Sequence, residues 1–324
     1  MRALVTGGHG FLGSHLSAAL LEAGYAVRVL GRPRRGSDRG ERRASSLELL
    51  GIEDEVEAVE ADLRDTRRVG TAVAGCDTVF HLAAQTFIGN GFGSAEEAVD
   101  INVRGSWTVF AACRDADVGG VLFASSLKAY GPAPSPPYAE ELPLRAEHPY
   151  DASKAVVDVM ARELAREWNL SAAVVRLANV YGEADLNFTR LVPETAIAVA
   201  DGRAPRLRSN GAARRDFLHV DDAVAAYLAV AAALGEGQVD GAALNGGGDR
   251  PYSAAEVVAM AVEMGGVEAP EPEFGPGLPA GEVVDQYLDS TKLRRLTGWA
   301  PAVDLRTGLG RTVEWYRDHE EVRP

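Results

Sequence analysis

A net charge of −14 over 324 residues argues against sequence-independent nucleic-acid binding, which needs a basic surface. Hydrophobic residues make up 46% of the chain, enough for a sizeable core in one large or two modest domains and too many for disorder. The two cysteines, Cys76 and Cys113, supply neither a disulfide framework nor a clustered metal site; the apolar start is too short for a signal peptide, and no apolar segment nears the ~20 residues of a membrane span, so a soluble cytoplasmic protein is expected.

In chain order, residues 3–6 read as a buried strand that runs into a glycine loop, and 11–23 as a helix ended by Gly24. Strands are predicted at 25–30, 56–60, 78–82 and 120–124, with helical stretches between them such as 102–115. This alternation predicts an α/β fold, a doubly wound parallel sheet with helices on both faces. Pro132, Pro134, Pro136 and Pro137 mark a loop. A helix over 150–169 and a strand over 172–177 follow. From about Tyr181 the segments shorten and the loops gain Gly, Pro and charge, which predicts a smaller, mixed C-terminal lobe. Some of its segments are expected to return to the first sheet. The basic stretch 32–43 and the Pro/Gly-rich stretch 270–281 read as the least ordered.

Gly7, Gly10 and Gly13 follow a strand and open a helix. Glycines at this spacing let the backbone turn tightly and approach a pyrophosphate, which then rests on the helix N-terminus. Without that context the pattern would be a plain tight turn. Readers of NAD usually place an acid at the end of the second strand, for the ribose 2′-hydroxyl. Here that place reads Val29-Leu30-Gly31-Arg32, with Arg34 and Arg35 close behind. Guanidinium groups suit a 2′-phosphate, so NADP is favoured over NAD. The alternative is a solvated basic loop beside a bound NAD. Asp62, just after a strand, is placed to accept a hydrogen bond from the adenine amine. Residues 1–180 are therefore expected to bind NAD(P), and 181–324 to form mainly the substrate lobe.

Tyr150 and Lys154 are four apart on the predicted helix and so share a face. A free phenol has a pKa of about 10. A neighbouring ammonium is expected to lower it, so that the phenol can trade a proton with a substrate hydroxyl near neutral pH. Alone, such a pair would be an ordinary surface pair. With the glycine loop and the run from Ser125 to Gly131, it implies a nicotinamide meeting an alcohol.

Several motifs extend this pattern along the chain: His81-Leu82-Ala83-Ala84, Asn102-Val103-x-Gly105, Ser125-Ser126-x-x-x-Tyr130-Gly131, Pro149-Tyr150-x-x-Ser153-Lys154, Arg176-x-x-Asn179-Val180-Tyr181-Gly182 and Arg215-Asp216-Phe217-x-His219-Val220-Asp221-Asp222. With the loop Gly7-x-x-Gly10-Phe11-Leu12-Gly13 and the tail Leu288-Asp289-Ser290-x-Lys292, they cover nearly the whole chain. The sequence resembles the nucleotide-sugar epimerase and dehydratase group of the extended short-chain dehydrogenases/reductases, UDP-glucose 4-epimerase-like, with some features like those of CDP-sugar enzymes. The resemblance implies a Rossmann-type nucleotide domain, a nucleotide-diphosphate sugar as substrate and a homodimer built on helices 102–115 and 150–169. It places Gly7, Gly10, Phe11, Leu12, Gly13, Arg32, Asp62, Leu63, Leu82, Ala83 and Ala84 around the cofactor. It pairs Ser126 with Tyr150 on the C4 hydroxyl, makes Tyr150 the base and has Lys154 also hold the nicotinamide ribose. It assigns Asn179 and Arg215 to the diphosphate, with Gln85 and Arg190 also on the substrate side.

The 4,6-dehydratases of this group carry an acid just after the hydroxyl residue and a base next. Leu127 and Lys128 stand there, so the acid is absent, while a desolvated lysine can still be a base. The balance implies C4 epimerisation first, a 4,6-dehydratase second and a net NADPH-dependent carbonyl reductase third. A non-catalytic cofactor sensor fits poorly with a chain that keeps Ser126, Tyr150 and Lys154. The late turn 277–282 lacks the arginine this group often uses to clamp the diphosphate, a part for which Arg190, Arg206 or Arg208 is a candidate.

Overall fold

The computed structural model describes residues 1–32, 44–86, 94–133, 135–248, 250–266, 270–278 and 283–324. Arg34, Arg35 and positions 279–282 of the late turn lie outside the described residues. The strands in chain order are β1 (Arg2–Thr6), β2 (Ala26–Gly31), β3 (Glu57–Glu60), β4 (Thr78–His81), β5 (Gly120–Ser126), β6 (Ala172–Leu177), β7 (Asn179–Tyr181), β8 (Arg206–Leu207), β9 (Arg214–His219), β10 (Ala243–Gly246), β11 (Pro251–Ser253), β12 (Glu273–Phe274) and β13 (Asp285–Gln286). The helices are α1 (Phe11–Glu22), α2 (Ser46–Leu49), α3 (Thr66–Val73), α4 (Ala95–Val99), α5 (Gly105–Asp115), α6 (Pro149–Trp168), α7 (Leu191–Ala200), α8 (Val220–Gly235), α9 (Ala254–Gly265), α10 (Thr291–Thr297) and α11 (Leu305–Asp318).

Seven strands form one parallel sheet in the order β10-β6-β5-β4-β1-β2-β3. The chain winds outward from β1 to β3, then restarts at β4 and winds the other way. That reversal opens a crevice at the carboxyl ends of β1 and β4, where ligands bind in such sheets. The central strands are apolar throughout because both faces are covered. On one face Leu16 and Leu20 of α1 meet Tyr227 and Val230 of α8. On the other, Val69 of α3, Val109 and Phe110 of α5, and Val157 and Ala161 of α6 close the second core. Both α8 and β10 come from beyond residue 181, so the later chain supplies part of the first sheet and its cover.

The smaller C-terminal region is mixed. β9 takes β7 and β13 as parallel neighbours and β11 as an antiparallel one. A third core joins α7, α9 and α11 through Val192, Ile197, Val257, Leu309 and Val313. No helix among the described residues is long and apolar enough to cross a membrane.

The helix expected at 102–115 differs in detail. α4 and α5 are joined by a π-helical turn, Asp100–Arg104. Gly105 sits where a Cβ would come 2.7 Å from the Leu63 Cβ, so the helix lies close on the segment after β3. In the wide turn Asn102 is buried, and its amide bonds the Gln85 backbone at both ends and the Ser153 hydroxyl.

A buried network holds α6 against the sheet. The Arg176 guanidinium donates twice to the Asp158 carboxylate, both at 2.8 Å, and once to the Tyr130 hydroxyl at 2.7 Å. Tyr130 in turn donates to Asn245 of β10 at 2.8 Å. Pairing every group in this way is what makes burial of two charges tolerable. The network fixes the helix that carries Tyr150 and Lys154.

Candidate active site

The crevice is a cleft of about 1060 Å³ that runs from the glycine loop to the start of α7. At its first end Gly7 has φ +73°, a conformation that favours glycine, and its N–H donates to Leu30 at 2.7 Å. A Cβ on Gly13 would lie 2.3 Å from the Gly7 carbonyl oxygen, so α1 starts flush against the loop. No side chain caps α1, whose first N–H groups are left to face an anion. Phe11, Leu12, Leu63, Leu82, Ala83 and Ala84 line the same end with Arg32 and Asp62. A cradle this tight fits the pyrophosphate and adenosine of a dinucleotide.

The polar groups of this end are already engaged with one another. Both Asp62 oxygens accept from Arg64, at 2.8 Å, and Arg64 reaches on to Asp100 at 2.7 Å. The Arg64 guanidinium holds the Asp62 carboxyl below its usual range. Arg32 donates to the Gln85 side-chain oxygen at 3.0 Å. Gln85, expected on the substrate side, thus stands beside the cofactor end, its backbone pinned by Asn102, and it is not among the residues lining the cleft. Behind the loop, Thr6 and the buried His81 are 2.7 Å apart, and His81 and Ser106 are 2.8 Å apart. Burial drops the imidazole to about 3, so it stays neutral.

The second end gathers Ser126, Lys128, Tyr150, Lys154, Asn179 and Arg190 around one space. Ser126 ends β5 and caps the short turn after it, its hydroxyl accepting from the Lys128 N–H at 3.2 Å. Leu127, at the place of a dehydratase acid, is 1% exposed and joins the core instead of the cleft. Tyr150 and Lys154 occupy the first turns of α6, whose entry is set by Pro149. The Lys154 ammonium donates to the Ala124 carbonyl at 2.8 Å and lies 5.1 Å from the Phe123 ring centre.

The electrostatics correct the expectation of a depressed phenol. Burial pushes Tyr150 up to about 12, and the charge that draws it back is that of Arg190, while Asp151 works the other way. Burial also brings Lys154 down to about 8. Desolvation is the largest influence on both groups, Lys154 being buried and Tyr150 half-buried in the cleft wall.

Arg190 precedes α7 and is held by Asp185 at 2.9 Å. That acid is buried, and its carbonyl accepts from the Tyr316 hydroxyl. Asn179 donates to the Asp216 carbonyl at 3.1 Å. Arg215 does not line the cleft; its guanidinium donates to the carbonyls of Arg214, Val283 and Val284, because the β9–β13 register carries it to that strand. Arg206 and Arg208 are also away from it, facing Glu273 and Glu194.

Sequence reasoning passed over His9, Thr86, Asp185, Asn187 and Phe188, all of which line the cleft. For His9 a signal existed, since it sits inside the glycine loop. Residues 185–188 carry no motif, and only the fold brings them to the site.

Comparison with known proteins agrees with this architecture. The sequence model of the NAD dependent epimerase/dehydratase family matches residues 3–245. A UDP-glucose 4-epimerase of Mycolicibacterium smegmatis is 32% identical, over 99% of this chain and 100% of its own. A dTDP-glucose 4,6-dehydratase of Streptomyces niveus is also 32% identical, over 98% of this chain and 94% of its own. Among solved structures, UDP-glucose 4-epimerase of Thermotoga maritima with UDP-glucose superposes with a TM-score of 0.86 at 28% identity, covering 99% of this chain and 100% of that one. A dTDP-glucose 4,6-dehydratase of Streptomyces venezuelae with NAD bound gives 0.85 at 29% identity, with all of both chains covered. The chain belongs to the NAD dependent epimerase/dehydratase family, within the extended short-chain dehydrogenases/reductases.

Proposed function

We propose that this enzyme interconverts C4 epimers of a nucleotide-diphosphate hexose through transient oxidation at C4. The observation that carries the reading is Leu127. A buried leucine stands where loss of the C6 hydroxyl as water would need a proton donor, while Ser126, Tyr150 and Lys154 line the cleft together. Gly7, Gly10, Gly13, Ala83 and Ala84 would hold the dinucleotide, and Lys154 its nicotinamide ribose. When bound, that group accepts the C4 hydrogen as hydride and gives it back. Ser126 orients the C4 oxygen. Tyr150 as phenolate takes the hydroxyl proton and as phenol returns it, so the chain ends as it began. Arg190 is the cation that favours the phenolate. Asn179 and Arg190 would hold the diphosphate while the 4-keto sugar turns its other face. Arg32 after Gly31 supports NADP over NAD.

Lys128 supports a second reading as a 4,6-dehydratase, since it lines the cleft at the place of that reaction's base. Incubation with UDP-glucose, UDP-galactose, dTDP-glucose and CDP-glucose, read by mass spectrometry and proton NMR, separates the readings. Inversion at C4 with no change of mass is expected. Loss of water would replace this reading by the second, and stoichiometric oxidation of NADPH would replace both by a reductase.

We also propose a homodimer. Val99, Trp107, Val156 and Val159, at 44–51% exposure, present an apolar face on α4, α5 and α6. Sedimentation velocity should give twice the chain mass, and Trp107→Glu should shift it to the monomer; a monomeric wild type would refute the assignment.

A further inference from the structure

We propose that Tyr227, carried by the helix α8 that returns from the later chain, holds the carboxamide of a bound nicotinamide through its hydroxyl. The inference rests on the reading of the cleft as a dinucleotide site and assigns its nicotinamide end a donor that no motif in the sequence announces.

The sheet decides which end of the dinucleotide would lie where. Arg32 and Asp62 follow β2 and β3, so the adenosine belongs to that side. From there the dinucleotide would pass over the glycine loop after β1, and its nicotinamide would reach the ends of β4, β5 and β6, where Ser126, Tyr150 and Lys154 stand. On the α8 face this part of the cleft has an apolar floor. Ala124 of β5, Leu177 of β6 and Ala178 line it with Tyr227, and all four belong to one core. The Tyr227 ring packs edge-on against Phe80 of β4, with 6.5 Å between centres, which limits where its hydroxyl can reach.

Tyr227 is 0% exposed, and its hydroxyl has no hydrogen-bond partner among the described residues. Other buried phenols of the chain are paired. Tyr130 donates to Asn245, Tyr138 accepts from the Ala133 N–H, and Tyr316 donates to the Asp185 carbonyl. An enclosed hydroxyl left unpaired is costly. A phenylalanine would fill the same space without that cost, so the oxygen marks a place where an acceptor on a ligand arrives. Burial keeps the phenol protonated, and the charge of Tyr150 pushes the same way, so Tyr227 is a donor. A nicotinamide is a flat ring with one amide, and an apolar floor with one enclosed hydroxyl matches it. A second unpaired hydroxyl, that of Ser125, stands on the opposite face of β5, with Phe123 rather than Ala124, and so serves a different part of the cleft.

Calorimetric titration of the full chain, stripped of nucleotide, tests this without turnover. NADP and NAD are compared with 2′-phospho-ADP-ribose and ADP-ribose, counterparts that lack only the nicotinamide. Tyr227→Phe should weaken both dinucleotides about fivefold, the scale of one lost hydrogen bond, and leave the nicotinamide-free counterparts unchanged. Its melting temperature without nucleotide should equal or exceed that of wild type, because the oxygen removed has no partner among the described residues. An unmoved dinucleotide affinity, an equal loss for the nicotinamide-free counterparts, or a lower melting temperature would each overturn the inference and leave the cleft a dinucleotide site. A wild type that binds none of these compounds would overturn the dinucleotide reading itself.

Discussion

The two ends of the cleft are made differently. The nucleotide end is mostly backbone: a glycine loop, a helix start and strand ends that lie within the first half of the chain. The substrate end is mostly side chains, delivered by β5, α6, β7 and the approach to α7 and steadied by partners far along the sequence. A backbone site tolerates little change in shape. A side-chain site is tuned by burial and charge.

The largest effect should come from separating the ends chemically. Tyr150→Phe is expected to lower turnover by about a thousandfold or more while dinucleotide affinity stays nearly intact. Steady-state kinetics beside a binding titration checks this, and an active variant would remove the phenol from the mechanism. Next, the substrate end depends on where α6 is held. Asp158→Asn leaves the Arg176 guanidinium buried without its counter-charge and should lower stability by about 3 kcal/mol, read by urea unfolding. A loss under about 1 kcal/mol would mean the network is not what anchors the helix.

Behind Asn179, Asp216 is fully enclosed, and burial raises its carboxyl to about 7 from a reference of 3.8. The folded state then binds more protons than the unfolded state between about pH 4 and 7, so this group makes stability fall as pH rises through that window. Asp216→Asn should flatten the pH–stability curve there, with the variant gaining on the order of 4 kcal/mol relative to wild type by pH 8. Parallel curves for the two proteins would refute the assignment. The smallest effect belongs to the nucleotide end. Gly7→Ala meets φ +73° and a Cβ contact of 3.0 Å with the Ala83 backbone, and should cost about 1 kcal/mol in a thermal melt. It should weaken NADP binding more than UDP binding, and the reverse ranking would break the contrast between the ends.

The same contrast explains what was legible beforehand. Gly7 and Gly13 announce themselves because backbone shape needs glycine there, and strand 172–177 was predicted with its observed ends. Tyr150 and Lys154 were legible from their spacing together with the glycine loop and the run from Ser125 to Gly131. The direction of the phenol's shift was not, since desolvation depends on which segments close over α6. Arg215 and Gln85 look like ligand contacts in a motif, yet each is aimed by a neighbour remote in sequence: the backbone at 283–284 and Asn102. Asp185 is a single residue whose place at the cleft comes from its contact with Arg190.

The return of α8 and β10 to the first sheet has a consequence for how the chain can be cut. A fragment ending at residue 180 would leave β6 as a bare edge and strip α8 from one face, where its Tyr227, Val230 and Leu234 now pack beside α1. Such a fragment would aggregate rather than survive as a free-standing half. The polypeptide passes between the two regions near residues 178, 219, 248, 288 and 303, so they are laced together rather than joined by one tether, and should melt in a single step.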